Sequence, residues 1–384
     1  MTNLAPTQPH NRLQQLNAAG QGVWLDFVDR GYLLGGGLAK LVAEDGVTGV
    51  TSNPAIFEKA MGQGTAYDAD MKEMLARRDL PPLELYETLA VEDIQRAADD
   101  LLPTYHRLNG VDGYVSLEVS PYLANDTDGT VGEARRLWAA VARPNLMIKV
   151  PGTPAGVPAI RQLIAEGINV NVTLLFSVDA YKAVAEAYLH GLEDRLSRGE
   201  PVNRVASVAS FFLSRIDAVV DAAIDALDEP RRSQNAGLKG RVAIANAKRA
   251  YAHSLELTAT SRWQALAAHG AMPQRLLWAS TGTKNPAYRD VMYVEELVGP
   301  DTVNTMPPAT LDAFRDHGDT RPTLAAGLDE AEAVLAGLAE AGFDLDAVTH
   351  QLAEDGVAQF VTSFDNLLAA VAEKRAALTG AAAT

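Results

Sequence analysis

The run LMIKV at residues 146–150 sets one lysine in a short apolar stretch, and reading it as a strand fixes where that lysine points. Side chains alternate between the two faces of a strand. Leu146, Ile148 and Val150 therefore share one face, and Met147 and Lys149 the other. Three further runs repeat the pattern. In YVSLEVS (114–120), Val115, Leu117 and Val119 stand opposite Ser116 and Glu118. In NVNVTLL (169–175), Val170, Val172 and Leu174 alternate with Asn169, Asn171 and Thr173. In VWLDFV (23–28), Leu25 and Phe27 alternate with Trp24 and Asp26.

Four more runs, at 47–52 (VTGVTS), 205–210 (VASVAS), 275–280 (RLLWAS) and 301–305 (DTVNT), bring the expected strands to eight. Stretches 84–108, 155–166, 178–196 and 213–227 lie between them, with apolar residues at three- and four-residue spacing. That spacing predicts helices. Strands alternating with helices imply a parallel sheet, and eight of them predict an α/β fold, the (β/α)8 TIM barrel, with additional helices. The intervals 54–112 and 213–274 are too long for one crossover helix each. An N-terminal helix is expected at about 8–19, and further helices at about 309–380 before an alanine-rich end, AALTGAAAT. No linker rich in Pro, Gly or Ser and no internal repeat interrupts the chain. One barrel domain over 1–384 is the expected organisation.

The apolar face of each strand packs on helices, so the other face points to the barrel axis. The bottom and middle of that axis should hold bulky apolar side chains. Several strands instead turn Asp, Glu, Lys, Asn or Thr inward, which is costly unless those groups are paired and hydrogen-bonded. Each has a plain structural alternative. Lys149 and Glu118 could form an ion pair, Asp26 could cap the next helix, and Asn53, before Pro54, could shape a turn. Asn171 and Thr173 could satisfy one another. Gathered near the C-terminal ends of neighbouring strands, they predict a site.

The chemistry follows from the lysine. An amine attacks a carbonyl only when neutral, and a low-dielectric setting disfavours the ammonium form of a lysine. The iminium that results accepts the electron pair of a breaking C–C bond, and two carboxylates serve the proton transfers. Phosphate ligands lie close by: Arg215 follows Ser210 by five residues at the start of a helix, and Ser280 leads into Thr281-Gly282-Thr283-Lys284. Small residues with free amides beside a cation suit a phosphate dianion.

Other chemistries find less support. Gly35-Gly36-Gly37 lacks the lysine and spacing of a P-loop and reads as a turn. The seven histidines are scattered, which disfavours a metal-dependent aldol mechanism and a Ser-His-Asp hydrolase. No metal and no cofactor are expected. The net charge of −16 argues against a nucleic-acid partner. With 47% hydrophobic and 21% charged residues, no cysteine, no basic-then-apolar leader and no membrane-spanning run, a soluble cytoplasmic protein is expected.

GVTSNPAIF (49–57), SLEVSPYLANDT (116–127), LMIKVPGT (146–153) and GINVNVTLLFS (167–177) together resemble the transaldolases in their longer bacterial form. The likeness runs from about Trp24 to Asn304. It implies a class I barrel enzyme of the pentose phosphate pathway, passing a dihydroxyacetone unit from sedoheptulose 7-phosphate to glyceraldehyde 3-phosphate. Erythrose 4-phosphate and fructose 6-phosphate would be the products. Carried over by position, Lys149 is the Schiff-base lysine and Asp26 the base for the cleaving hydroxyl. Glu118 is the acid/base, acting through a water that Thr173 helps to hold. Asn53 and Asn171 bind hydroxyls of the dihydroxyacetone unit, and Ser210 and Arg215 form the phosphate end. Shorter transaldolases carry a second phosphate-binding arginine two residues after the serine matching Ser280. Here that position is Gly282, and Lys284 is the expected substitute.

Two other readings compete. Fructose 6-phosphate aldolases, which release free dihydroxyacetone, are much shorter and tend to carry Gln at Glu118 and Tyr at Phe212. A sugar-phosphate-binding barrel without catalysis could keep Arg215 and Ser280, but would not need Lys149, Asp26 and Glu118 together. Sugar phosphates are the partners implied, and no protein partner is indicated.

Overall fold

The computed structural model describes residues 11–380. Eight parallel strands close into a barrel in chain order: β1 (Gln21–Asp26), β2 (Gly49–Thr51), β3 (Tyr114–Glu118), β4 (Leu146–Pro151), β5 (Val170–Leu175), β6 (Ser207–Phe212), β7 (Arg275–Ala279) and β8 (Thr302–Met306). All eight expected strands are present, with shifted ends. β1 begins two residues early because Gln21 donates to Leu297 O (2.7 Å) and Thr302 Oγ1 (3.0 Å). Gly22 faces the axis, where a Cβ would lie 2.4 Å from Asp112 Oδ2.

Single helices cover the barrel after β3, β4 and β5 (Thr127–Val141, Gly156–Glu166 and Val178–Ser197). The long intervals hold several: Pro54–Gln63, Asp68–Arg77 and Pro82–Arg107 after β2, and Ser214–Asp225, Arg231–Asn235, Val242–Ala259 and Ser261–Ala268 after β6. The N-terminal helix spans Arg12–Ala18, capped by Asn11, whose side chain accepts from Gln14 N–H. The expected start at residues 8–10 lies outside the described residues, as do 381–384 of the alanine-rich end. Beyond β8 come Pro308–His317, Leu328–Glu340 and a 35-residue helix, Leu345–Thr379. This last helix packs on the segments that follow β2, β3 and β6 and on β5 itself, so it crosses the C-terminal mouth of the barrel.

The floor of the barrel departs from expectation. An apolar bottom layer was anticipated, but Asp112 and Arg275 form a buried ion pair there at 3.1 Å. Trp24 Nε1 (2.8 Å) and Thr48 Oγ1 (3.0 Å) also donate to Asp112. Gly49 is required beside them, since a Cβ would sit 2.4 Å from the Trp24 ring. Asp112 is paired through both oxygens, while Arg275 Nη2 is buried without a partner. Pairing of this kind makes inward charges tolerable, so an inward charge by itself does not mark a site.

Candidate active site

Strand register gathers the polar residues of the mouth. Glu118 of β3 pairs with Lys149 of β4, and Lys149 with Asn171 of β5. All three are buried. Lys149 Nζ donates to Ser52 O at 3.2 Å and faces Glu118 Oε2 at 3.5 Å, without the geometry of a hydrogen bond. The ion pair anticipated as a structural alternative therefore exists, but it leaves both Glu118 oxygens without a hydrogen-bond partner. Thr173 Oγ1, also buried, has none either. Such orphaned groups are costly.

The carboxyls are tuned by burial. Burial pushes Glu118 up to about 7, against the pull of the Lys149 charge, with Asp26 adding to the rise. Near neutrality such a group can both give and take a proton. Asp26, the last residue of β1, is raised from the ordinary aspartate value chiefly by burial, opposed by a hydrogen bond from Thr51 and by the charges of Lys149 and Lys284. Thr51 Oγ1 donates to Asp26 Oδ1 at 2.6 Å and meets Thr305 Oγ1 at 2.7 Å. Asp26 does not cap the next helical turn; Asp29 does, accepting from Tyr32 N–H at 2.9 Å.

Asn171 and Thr173 do not satisfy one another. Asn171 Nδ2 donates to Ser116 Oγ (2.9 Å), and its Oδ1 accepts from Ser210 Oγ (2.7 Å). This chain of three strands fixes the amide. Asn53 has a structural task as well: its Oδ1 caps the helix Pro54–Gln63, accepting from Ile56 N–H at 3.0 Å. Its Nδ2 donates to no described residue.

The second cluster lies at the ends of β6 and β7. Arg215, in the first turn of the helix Ser214–Asp225, lies over the Phe212 ring at 5.5 Å, and Phe212 packs on Phe176 at 5.2 Å between centroids. No acidic side chain pairs with Arg215 among the described residues, Nη1 is buried without a partner, and burial holds its pKa below the ordinary arginine value. An unpaired, desolvated guanidinium at a helix N-terminus is an anion site in waiting. Ser280 follows β7 with a left-handed φ of 59° and shares a 2.8 Å hydrogen bond with Ser214. Thr281 Oγ1 anchors the turn on Thr305 O at 3.2 Å. Lys284 is exposed on that loop, near enough to act on Asp26. The loop is tied back to the helix carrying Arg215: Tyr288 OH donates to Asp221, and Tyr293 OH donates to Asp217 at 2.8 Å.

The residues singled out from sequence thus lie on the barrel strands or in the segments that follow them, with direct contacts between Lys149 and Glu118, Asn171 and Ser210, and Arg215 and Phe212. Several neighbours of these residues were not singled out from sequence, among them Thr305 and Ser214. Thr51 and Ser116 lie on inward faces and were open to the same alternation. The carbonyl of Ser52 and the ring of Phe360, 5.7 Å from Lys149 Nζ, depend on tertiary placement. Beside the mouth, a cavity of about 1050 Å³ lies between the last helix and the tops of β4 and β5, with Leu174 and Phe176 in its wall.

Comparison with known proteins agrees with this geometry. The family model described as Transaldolase/Fructose-6-phosphate aldolase matches residues 23–371. Proteins named transaldolase are similar along nearly their whole length. The one from Trichodesmium erythraeum is 46% identical over 96% of this chain and 99% of its own. Those from Thiobacillus denitrificans (50%; 94% and 99%) and Thermobifida fusca (49%; 96% and 99%) are equally extensive. By fold, strand-end residues and these similarities, the chain belongs to the transaldolase/fructose-6-phosphate aldolase family.

Proposed function

We propose that this chain is a transaldolase of the pentose phosphate pathway, with Lys149 as its Schiff-base residue. The observation that carries the assignment of roles is the buried amine of Lys149, set 3.5 Å from a carboxyl poised at about 7. The neutral amine adds to the ketose carbonyl of sedoheptulose 7-phosphate, and water leaves as the iminium forms. Glu118 moves the protons of that step through a water held with Thr173. Asp26 takes the proton of the hydroxyl beside the scissile bond, the C–C bond breaks, and its electron pair passes into the iminium to give an enamine. Erythrose 4-phosphate departs. The enamine carbon then attacks the aldehyde of glyceraldehyde 3-phosphate, the new alkoxide takes its proton from Asp26, and water hydrolyses the imine to release fructose 6-phosphate.

Asn171 and the free Nδ2 of Asn53 hold hydroxyls of the three-carbon unit; Ser210, expected at the phosphate end, donates to Asn171 Oδ1 at 2.7 Å and so fixes that amide instead. Arg215, Ser280 and Lys284 hold the phosphate, and Phe212 supports the Arg215 guanidinium from beneath. Lys284 supplies the cation that Gly282 cannot. The whole chain acts as one barrel domain, a reading supported by the unbroken strand order. No helix among the described residues is long and apolar enough to cross a membrane. The lack of cysteine and a net charge of −16 support a reducing, cytoplasmic setting without nucleic-acid binding. The test supplies fructose 6-phosphate with and without erythrose 4-phosphate. Formation of sedoheptulose 7-phosphate is expected; free dihydroxyacetone as the main product with acceptor present would assign the chain to the aldolase branch.

A further inference from the structure

We infer that Phe360, on the last helix, is a specificity-determining residue that closes the space above Lys149 and keeps the enamine for transfer rather than release. The inference rests on Lys149 being the Schiff-base lysine. Phe360 is only 9% exposed, and its ring centroid lies 5.7 Å from Lys149 Nζ. It comes from neither a barrel strand nor a loop that follows one.

The helix is fixed on both sides of the ring. One turn earlier, Gly356 meets Leu174 of β5, where a Cβ would approach Leu174 Cδ2 to 2.9 Å. Leu174 directly follows Thr173 and holds a left-handed φ of 61°, uncommon for a residue with a branched side chain. The β5–β6 register shifts at this point, between Val172 and Leu175. Strain of this kind persists only where the surroundings enforce it. One turn later, Phe364 stacks edge-on against Tyr86 (5.8 Å) and Tyr122 (6.2 Å), and Tyr122 OH donates to Asp365 at 2.6 Å. Gly356, Phe360 and Phe364 form one stripe running from β5 to the β3 side, and the strained strand end serves as its seat.

The chemistry gives that ring a task. After C–C cleavage the three-carbon unit stays on Lys149 as an enamine with two fates. Its carbon can attack an acceptor aldehyde, forming a C–C bond while the aldehyde oxygen takes a proton. Alternatively its carbon takes a proton, and water hydrolyses the resulting iminium to free dihydroxyacetone and the amine. Only the second fate needs a proton on carbon before an acceptor arrives. An apolar ring above Nζ occupies the volume from which water would bring it.

The test compares Phe360→Ala with the unaltered protein, given fructose 6-phosphate and erythrose 4-phosphate. Dihydroxyacetone release and sedoheptulose 7-phosphate formation are measured in the same reaction. The ratio of release to transfer is expected to rise roughly tenfold, a change of about 1.4 kcal/mol between the two barriers. Phe360→Leu keeps apolar bulk in the helix, serves if Phe360→Ala fails to fold, and should raise the ratio by less. If both rates fall together at constant ratio, Phe360 only packs the helix and the proposal fails. Borohydride trapping of both proteins separates the two levels: an adduct on Lys149 with an unchanged ratio overturns the role of Phe360 alone. No adduct on Lys149 in the unaltered protein overturns the lysine assignment, and this proposal with it.

Discussion

Replacing Glu118 by glutamine keeps the shape of a buried side chain and removes its proton equilibrium. In the folded chain burial lifts Glu118 from the ordinary 4.5 to about 7, although Lys149 lies 3.5 Å away. At about 1.4 kcal/mol for each pKa unit, that difference amounts to about 3–4 kcal/mol between the two protonation states. The folded protein holds this proton to a higher pH than the unfolded one. The stabilisation is therefore fully present below about pH 4.5 and is lost as pH rises through about 7. The Glu118→Gln protein has no such loss. Denaturant unfolding of both proteins at pH 5 and pH 8 isolates the effect, because titrating groups such as Asp93 and Asp217, each raised to about 6, are common to both. The stability of Glu118→Gln relative to the unaltered protein should improve by up to about 3 kcal/mol between the two pH values. Its residual transfer activity should also lose the ionisation near pH 7. Parallel stability profiles would refute the claim that burial governs this carboxyl.

Asp26→Asn should still form the Lys149 adduct while C–C cleavage slows by about 10²–10⁴-fold, the usual worth of a positioned base; single-turnover cleavage of fructose 6-phosphate measures this, and undiminished cleavage would remove Asp26 from the role. Arg215→Ala should raise KM for phosphorylated substrates by roughly 10–100-fold, as expected for losing hydrogen bonds from a charged group. Lys284→Ala, on an exposed loop, should cost less, and steady-state kinetics showing the reverse ranking would move the phosphate site toward β7. Arg275→Leu leaves Asp112 buried without its partner at the floor of the barrel and should cost about 3–5 kcal/mol in denaturant unfolding. The protein that remains folded should keep its transfer rate, because Arg275 begins β7 at the end opposite the mouth; a selective loss of rate would contradict that separation.

Lys149 was legible because parallel strands buried on both faces read as nearly continuous apolar runs. Against such runs, Glu118, Lys149, Asn171 and Thr173 stand out, and alternation alone assigns them a common face. The same logic did not find the floor pair. Arg275 opens its strand and reads as a boundary residue, while Asp112 lies in the turn before β3, and only the closed barrel brings them together. The early start of β1 was hidden for a related reason. Gln21-Gly22 has little strand propensity, and contacts to Leu297, Thr302 and Asp112 hold it in place. Asn53 caps a helix through Oδ1 and leaves its Nδ2 without a partner among the described residues, so the turn reading and the site reading do not exclude one another. Phe360 was beyond reach, since Leu352, Gly356, Phe360, Phe364, Leu367 and Val371 form the stripe any packed helix shows. Which surface that stripe meets is a tertiary fact.

The account depends most on the identity of the nucleophile. Borohydride reduction in the presence of fructose 6-phosphate, followed by peptide mapping, tests it directly. A reduced three-carbon adduct is predicted on Lys149, with none in Lys149→Ala. An adduct on another lysine, or none at all, would contradict the account.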